Sequence, residues 1–418
     1  MSAADDAIAG LPGLAAAAPA LSGRPGPTVD VLLRIGAAAH LLRIRDGALL
    51  AADPAPALMP RYDLLLTADA AAWARFTSAA PPPGWHDLMA LVRQGALRAE
   101  GDLQPFMAHL AWFKALFALL RPPASPLVAV PPAAVAEPFF EPITGRYLHL
   151  MLDARPHRLY VEEAGQGIPL ILLHTAGSDG RQWRGLMNDA AVTRHFRCIA
   201  FDMPWHGKSS PPEGFVAGTY RLTTAAYTGM IMAVAAALRL DRPVVMGCSI
   251  GGRIVLDLAA EHADALRAVI GLQSSAFVAP YYDIAWLDHP EVHGGEVCAA
   301  IVSGLVGPAA PEAGRAETLW HYRQGGPGVF RGDLHFYKGE GDLRPKLARI
   351  DTARCPVHLL TGDYDYSCRP EDTLATAAAI PGAEAAIMPG LGHFPMSEDW
   401  PGLRSHLLPV LERIRATG

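Results

Sequence analysis

A chain of 418 residues, 51% hydrophobic and 18% charged, is of the globular class rather than the disordered one, and it is long for a single core, so two domains are expected. A formal charge of -6 without a basic cluster excludes a nucleic-acid surface. The five cysteines (Cys198, Cys248, Cys298, Cys355, Cys368) are odd in number, scattered and free of CxxC spacing, which excludes a disulfide framework or a zinc site and points to a reducing compartment.

Asp5 and Asp6 stand where a secretion signal would be basic, and no apolar run reaches membrane-spanning length. A cytoplasmic protein that does not span a membrane is therefore expected. Residues 1 to 25 are rich in Ala, Gly and Pro and read as a flexible tail without chemistry.

From Thr28 the texture changes. Val29 to Ile35 and His40 to Ile44 read as strands, Asp46-Gly47 as a turn pair, and Ala48 to Ala52 as a returning strand. Tyr62 to Thr67 reads as a further strand, Ala68 to Phe76 and Trp85 to Gln94 as helices, Ala96 to Glu100 as a strand, and Asp102 to Leu120 as a closing helix.

The stretches YDLLLTADAAAWARF and LMALVRQGALRAEGDLQPFMAHLAWFKAL, with the Gly101-Asp102 turn into the last helix, resemble a sterol-carrier-protein-2-like (SCP2-like) α+β domain over residues 26 to 121. That resemblance implies a hydrophobic tunnel for a lipid ligand and no covalent chemistry. The residues alone allow a second reading, in which Trp73, Phe76, Phe106, Trp112, Phe113 and Phe117 fill a core and the domain covers an apolar face or makes a homo-oligomer contact.

Residues 122 to 142 are proline-heavy, too stiff and donor-poor for helix or central strand, and read as a linker. Beyond it, Tyr147 to Leu152 and His157 to Glu162 read as an antiparallel pair. Ile168 to Leu173, Phe196 to Phe201, Val244 to Met246, Ala268 to Leu272, Val357 to Thr361 and Glu384 to Met388 are short apolar runs with helical segments between most of them. That alternation predicts an α/β layer structure, a mostly parallel sheet with helices on both faces.

Within it, Val244 to Met246 runs into Gly247-Cys248-Ser249-Ile250-Gly251, a strand, a G-x-S-x-G turn and then a helix. Such an elbow lifts a serine clear of the sheet edge and needs small residues on either side. In a chain with 40 glycines the motif alone is weak. Four motifs in order, LLHTAG, FDMPWHGKS, GCSIGG and GLGHFPM, together resemble the α/β-hydrolase fold superfamily over residues 143 to 418.

A serine hydroxyl needs a base, itself oriented by an acid. Ser249 is the candidate nucleophile, His393 in GLGHFPM the base, and one of two aspartates in LLTGDYDYSC the acid. The family's G-x-x-D spacing favours Asp365, with Asp363 left to brace the turn. The resemblance places the oxyanion donors at the backbone N–H groups of Ile250 and of the loop after Leu173, where Ala176 is favoured. Thr175, standing where the family usually has glycine, leaves open which of the two residues presents its N–H. His174, Asp202 and His206 are expected to hold loops, and Cys248 to be a small buried side chain.

An insertion from about 275 to 349 falls where a cap belongs. Its aromatic residues suggest a lid over a largely apolar substrate, with Trp205, Tyr281, Tyr282, Trp286, Trp320 and Phe336 as pocket residues, or else the packing of the lid's own helices. No histidine spacing suggests a metal, and no cofactor motif is present.

These features predict a serine hydrolase that cleaves a carboxylic ester, thioester or lactone through an acyl-enzyme. Carbon–carbon or amide hydrolysis by the same triad stays open. So does a lipid-binding or scaffolding protein whose hydrolase domain is vestigial.

Overall fold

The computed structural model describes residues 3–22, 25–56, 58–122 and 137–417. The chain divides into two compact units: Met1–Pro138 with His289–Gly304, and Phe139–Asp288 with Leu305–Gly418. Most of the proline-rich linker, residues 123–136, lies outside the described residues.

The first unit holds a five-stranded sheet of β1 (Val29–Ile35), β2 (Ala38–Arg45), β3 (Ala48–Pro54), β4 (Leu64–Ala68) and β5 (Leu97–Gly101) in the order β3-β2-β1-β4-β5. Only the β1–β4 pair is parallel. Helices start where short acids can take up orphan N–H groups: Asp69 accepts from Ala72 at 2.7 Å and Asp87 from Met89 at 2.8 Å. The expected helix from Asp102 to Leu120 is broken into Gln104–Ala108 and Leu110–Ala118, because His109 leaves the helical region (φ -117°, ψ 30°).

The first residues differ from the flexible tail expected of them. Ala3–Ala9 and Leu11–Ala16 are helices. Ile8, Leu11, Ala15, Ala18 and Leu21 are buried at spacings of three and four, an apolar stripe hidden by the surrounding alanines.

The insertion read as a lid is also shared out. Residues 289–304, with the helix Gly294–Ser303, belong to the first unit. There the buried Lys114, paired with Asp87 at 3.0 Å, donates to the carbonyl of Ala300 at 2.6 Å, and His86 bonds the carbonyl of Gly304 at 2.8 Å.

The second unit carries an eight-stranded sheet of β6 (Thr144–Leu152), β7 (Arg155–Ala164), β8 (Ile168–Leu173), β9 (Phe196–Phe201), β10 (Val244–Cys248), β11 (Ala268–Leu272), β12 (Val357–Gly362) and β13 (Glu384–Met388). Its order is β13-β12-β11-β10-β8-β9-β7-β6. The pairs from β13 to β9 are parallel, while β7 pairs antiparallel with both β9 and β6, so the sheet is mixed. Buried on both faces, β8, β10 and β11 carry the unbroken apolar runs seen in the sequence. Leu172, Met246 and Ile270 from these strands share one core with Trp183, Leu403 and Leu407 from the flanking helices. Sites in such sheets form beyond the carboxyl ends of the strands.

Candidate active site

At the end of β10, Ser249 has φ 60° and ψ -113°, a strained conformation for a residue with a side chain, and the helix Ile250–Glu261 starts immediately after it. The turn tolerates only glycine on both sides. A Cβ on Gly247 would come within 2.4 Å of the Gly251 backbone, and one on Gly251 within 2.8 Å of Leu173 Cβ. Ser249 is thereby held at the elbow apex, and Ile250 occupies the first helical position, where backbone N–H groups have no intrahelical acceptor.

Cys248 Sγ donates to the carbonyl of His393 at 3.2 Å, which brings the elbow beside the loop after β13. Burial pushes the Cys248 thiol well above its ordinary pKa, so it is a packing group and not a nucleophile. His393 Nδ1 donates to Asp365 Oδ2 at 2.6 Å, and Asp365 Oδ1 accepts from the N–H groups of Ser367 and Cys368 at 2.8 and 3.1 Å. Asp363 instead accepts from the N–H of Gly390 at 2.7 Å and braces the turn. The structure thus brings His393 to Asp365 and not to Asp363. Among the described residues neither Ser249 Oγ nor His393 Nε2 makes a hydrogen bond, so the link between serine and histidine is open here.

Two residues that sequence reasoning missed hold this loop. Gln273 takes the Gly362 N–H on Oε1 at 2.8 Å and gives its amide N–H to the Gly392 carbonyl, tying the acid loop to the histidine loop. Buried Glu398 accepts from Gly392 at 2.6 Å, Gly307 at 3.3 Å and Phe394 at 3.4 Å, so its carboxyl grips the backbone on both sides of His393. Burial raises its pKa to about 7 against the pull of those three N–H groups. The His393 N–H itself goes to the carbonyl of Leu305 at 2.7 Å.

The loop after β8 is tethered residue by residue. Thr175 N–H donates to Gln182 Oε1 at 3.0 Å, Gly177 N–H to Asp333 Oδ2 at 2.7 Å, Ser178 N–H to the Thr175 carbonyl at 3.3 Å, and Gly180 N–H to Asp202 at 2.8 Å. His174 gives Nδ1–H to the Thr175 carbonyl at 2.8 Å and accepts the Met203 N–H on Nε2 at 3.1 Å. Burial, with the His206 charge beside it, lowers its pKa to about 4, so it is a neutral brace between two loops. His206 pairs with Asp333 at 2.8 Å and bonds the Pro204 carbonyl at 2.9 Å. No sequence motif marks Asp333, Gln182 or Tyr322, whose hydroxyl meets Thr175 Oγ1 at 2.6 Å.

The comparisons with known proteins agree with this architecture. Residues 168–290 match the family model described as alpha/beta hydrolase fold. A thermophilic esterase from Thermogutta terrifontis superposes with a TM-score of 0.55 at 19% identity, over 65% of this chain and 99% of its own. The second unit has the α/β-hydrolase fold. An enol-lactonase from Burkholderia xenovorans aligns similarly, with a TM-score of 0.54 at 22% identity, over 63% of this chain and all of its own. In sequence, haloalkane dehalogenase 2 of Mycobacterium tuberculosis is 27% identical over 267 residues, 60% of this chain and 89% of that protein.

Beside the loop after β8 of the α/β-hydrolase unit lies a cavity of about 320 Å³ lined by Gly177, Ser178, Asp179, Arg181, Trp205 and His321 among others. Its wall mixes apolar surface with the charged side chains of Asp179, Arg181, Asp202 and Lys208. Burial favours a neutral Asp179, yet Arg181 overrides it and holds the carboxyl at about 2, whereas burial leads in raising Asp202 to about 6 and in lowering His321 to about 4. Trp205 adopts φ 76° with its ring against Phe215 and Tyr220, and it also lines a second cavity of about 410 Å³.

The other pocket candidates divide. Tyr281 and Tyr282 are half-buried with their rings 5.0 Å apart, and Tyr281 lies 6.2 Å from Tyr366, the neighbour of Asp365. Trp286 is half-buried on the short turn Ile284–Asp288. Phe336 departs from the pocket expected for it: it is fully buried edge-on against Tyr227 and is core. Trp320 departs in the other direction, 54% exposed on the helix Glu312–Arg323. Aromatic density could not separate these cases, since an aromatic ring serves a core, a wall or a surface equally.

No group of three or more His, Cys, Asp or Glu among the described residues is placed to hold a metal ion. None of the described helices is long and apolar enough to cross a membrane.

Proposed function

We propose that the α/β-hydrolase unit is a serine hydrolase that cleaves a carboxylic ester, thioester or lactone through an acyl-enzyme on Ser249. The observation that carries this reading is the convergence of three chain segments. The strained Ser249 follows Cys248, Cys248 bonds the His393 backbone, and His393 is held by Asp365.

His393 Nε2 takes the serine proton as Oγ attacks the carbonyl, and the imidazolium formed is stabilised through Nδ1–H by Asp365. The resulting oxyanion is received by the N–H groups of Ile250 and Ala176. Ala176 is favoured over Thr175 because the Thr175 N–H is already given to Gln182. His393 then returns the proton to the leaving group, and a water attacks the acyl-enzyme by the same route. The serine hydrogen bond left open here is of the kind that tightens in the Michaelis complex. The dehalogenase relative bears on the choice of chemistry: in this superfamily halide displacement uses an aspartate at the elbow, and Ser249 favours acyl transfer instead.

A fluorophosphonate probe together with chromogenic esters of increasing acyl length tests the assignment. Labelling of the full chain that Ser249→Ala abolishes is expected, and labelling that survives that substitution sinks it.

For the first unit the packing supports a structural role over lipid carriage. Trp73, Phe76, Phe106, Trp112, Phe113 and Phe117 are all buried, in a chain of ring contacts of 5.1 to 6.4 Å. A fluorescent fatty acid that bound residues 1–138 of the intact protein, located by photo-crosslinking, would restore the carrier reading.

A further inference from the structure

Asp333 lies on the cap helix Val329–His335, far in sequence from every motif of the site, and is fully buried. Its two oxygens accept three hydrogen bonds: Gly177 N–H at 2.7 Å and His206 Nε2 at 2.8 Å on Oδ2, and Tyr220 hydroxyl at 2.7 Å on Oδ1. A carboxylate taken out of water is retained only where it is fully hydrogen-bonded and paired. This one meets that condition, and one of its donors is the backbone of the oxyanion loop.

The tether bears on a single peptide. Ala176 sits between Thr175, whose N–H is fixed by Gln182, and Gly177, whose N–H is fixed by Asp333. With both flanking N–H groups drawn to side chains, the Ala176 N–H has its direction set for it. Gly177 is at φ 69°, and a Cβ there would meet Phe330 of the same cap helix at 2.8 Å. The cap helix therefore both seats on the loop and bonds it. Tyr322, from the preceding cap helix, adds its hydroxyl to Thr175 Oγ1.

We infer that Asp333 is a positioning residue for the oxyanion hole: with His206 and Tyr220 it forms a clamp through which the seated cap fixes the N–H of Ala176. The inference rests on the serine-hydrolase reading and deepens it. The cap then governs transition-state stabilisation and not access alone, because a donor aimed in advance at the developing charge costs no reorganisation during reaction.

The test compares wild type, Asp333→Asn and Asp333→Ala in the full chain. It reads kcat and KM on p-nitrophenyl butyrate, and inhibition by an alkyl trifluoromethyl ketone, which forms a tetrahedral hemiketal oxyanion with the serine. Asp333→Asn keeps shape and an acceptor for Gly177 but loses the charge that pairs with His206. Asp333→Ala leaves all three donors unanswered.

Losing a whole oxyanion donor costs about 100- to 1000-fold in kcat, so a donor that is only loosened should cost about 10- to 100-fold, with Asn milder than Ala. KM should stay within about twofold, and ketone affinity should fall by the same factor as kcat/KM. That proportionality is what a merely structural role would not produce. If Asp333→Ala does not fold, Asp333→Asn with Tyr220→Phe carries the test on the same two readouts.

Wild-type kcat and wild-type ketone affinity in a folded Asp333 variant overturn the inference alone, provided that Ser249 of the wild type still takes a fluorophosphonate. Should the wild type neither label nor hydrolyse, the hydrolase reading falls and the clamp falls with it, there being no oxyanion to receive.

Discussion

Two buried histidine–carboxylate pairs sit in the α/β-hydrolase unit and do opposite things. His393 meets Asp365 through Nδ1, and its Nε2 is unbonded among the described residues. His206 meets Asp333 through Nε2, while its Nδ1 lies against the Pro204 carbonyl. A carbonyl can only accept, so Nδ1 of His206 carries a hydrogen; the carboxylate calls for another on Nε2. Burial opposes that charge, but Asp333 outweighs it and raises the pKa of His206. The raised pKa and the two acceptors favour the charged form of His206 and engage both its nitrogens, whereas His393 leaves Nε2 without a hydrogen bond among the described residues, as the proposed base requires. What separates the proposed base from a brace is the partner of the second nitrogen, not the presence of an acid.

The widest gap between the pairs should appear on removing the members of the first. Ser249→Ala or His393→Ala should lower kcat by about 10⁴- to 10⁶-fold, as groups that act as one unit do, and Asp365→Asn by about 10⁴-fold because the imidazole tautomer is then wrong. Asp363→Asn should stay within about threefold, since among the described residues that carboxylate holds the Gly390 N–H alone. Steady-state hydrolysis of p-nitrophenyl butyrate checks all four, and a severe Asp363→Asn beside a mild Asp365→Asn would reassign the acid.

The first pair was legible in the sequence and the second was not, for a physical reason. Ser249, Asp365 and His393 each sit just after a strand, and the fold delivers strand ends to one place, so local motifs of a few residues carried the geometry. Five strand boundaries coincide with their apolar runs for the same reason: Val29–Ile35, Ile168–Leu173, Phe196–Phe201, Ala268–Leu272 and Glu384–Met388. Asp333 reaches Gly177 across 156 residues from a cap helix with no motif, and nothing in its neighbours distinguishes it from a solvated aspartate. The terminal helices were missed because alanine serves a buried stripe as readily as a loop. Residues 289–304 fall inside the insertion yet belong to the first unit, because sequence order says nothing of which core a helix joins.

A second prediction sharpens the contrast from the side of the brace. His206→Gln should reduce kcat about tenfold, far less than His393→Ala, since it loosens Asp333 without removing a reacting group. Its stability signature follows from the sign of the shift. The folded pKa of His206 lies above its ordinary 6.5, so the stabilising contribution is complete below about pH 6.5 and is lost as pH rises through the raised folded value. Burial, Asp333 and Asp202 set that shift, with His174 facing the ring at 4.9 Å. The gap in thermal midpoint between wild type and His206→Gln should therefore be widest in acid and narrow toward alkaline pH. A gap that widens with pH would mean that His206 is neutral in the fold, and the two pairs would then be alike.

An effect on activity as small as that of Asp363→Asn should come from Glu398→Gln, which tests what holds His393 rather than what holds the loop after β8. The Glu398 carboxyl, raised to about 7 from an ordinary 4.5 by burial, accepts the N–H groups on both sides of His393, with the charge of Arg315 pulling weakly the other way. Between about pH 4.5 and 7 the folded state keeps a proton that the unfolded state has released, so stability must fall as pH rises through that window and level off above it. Glu398→Gln cannot titrate, and its amide oxygen can still take the close Gly392 bond at 2.6 Å. Its kcat should stay within about threefold of wild type, the cost of one long hydrogen bond. Urea melts at intervals from pH 4 to 8 should show a declining stability in wild type and a flatter profile in the variant. If the two decline in parallel, Glu398 is already ionised in the fold, and the three N–H groups then outweigh the burial that surrounds it.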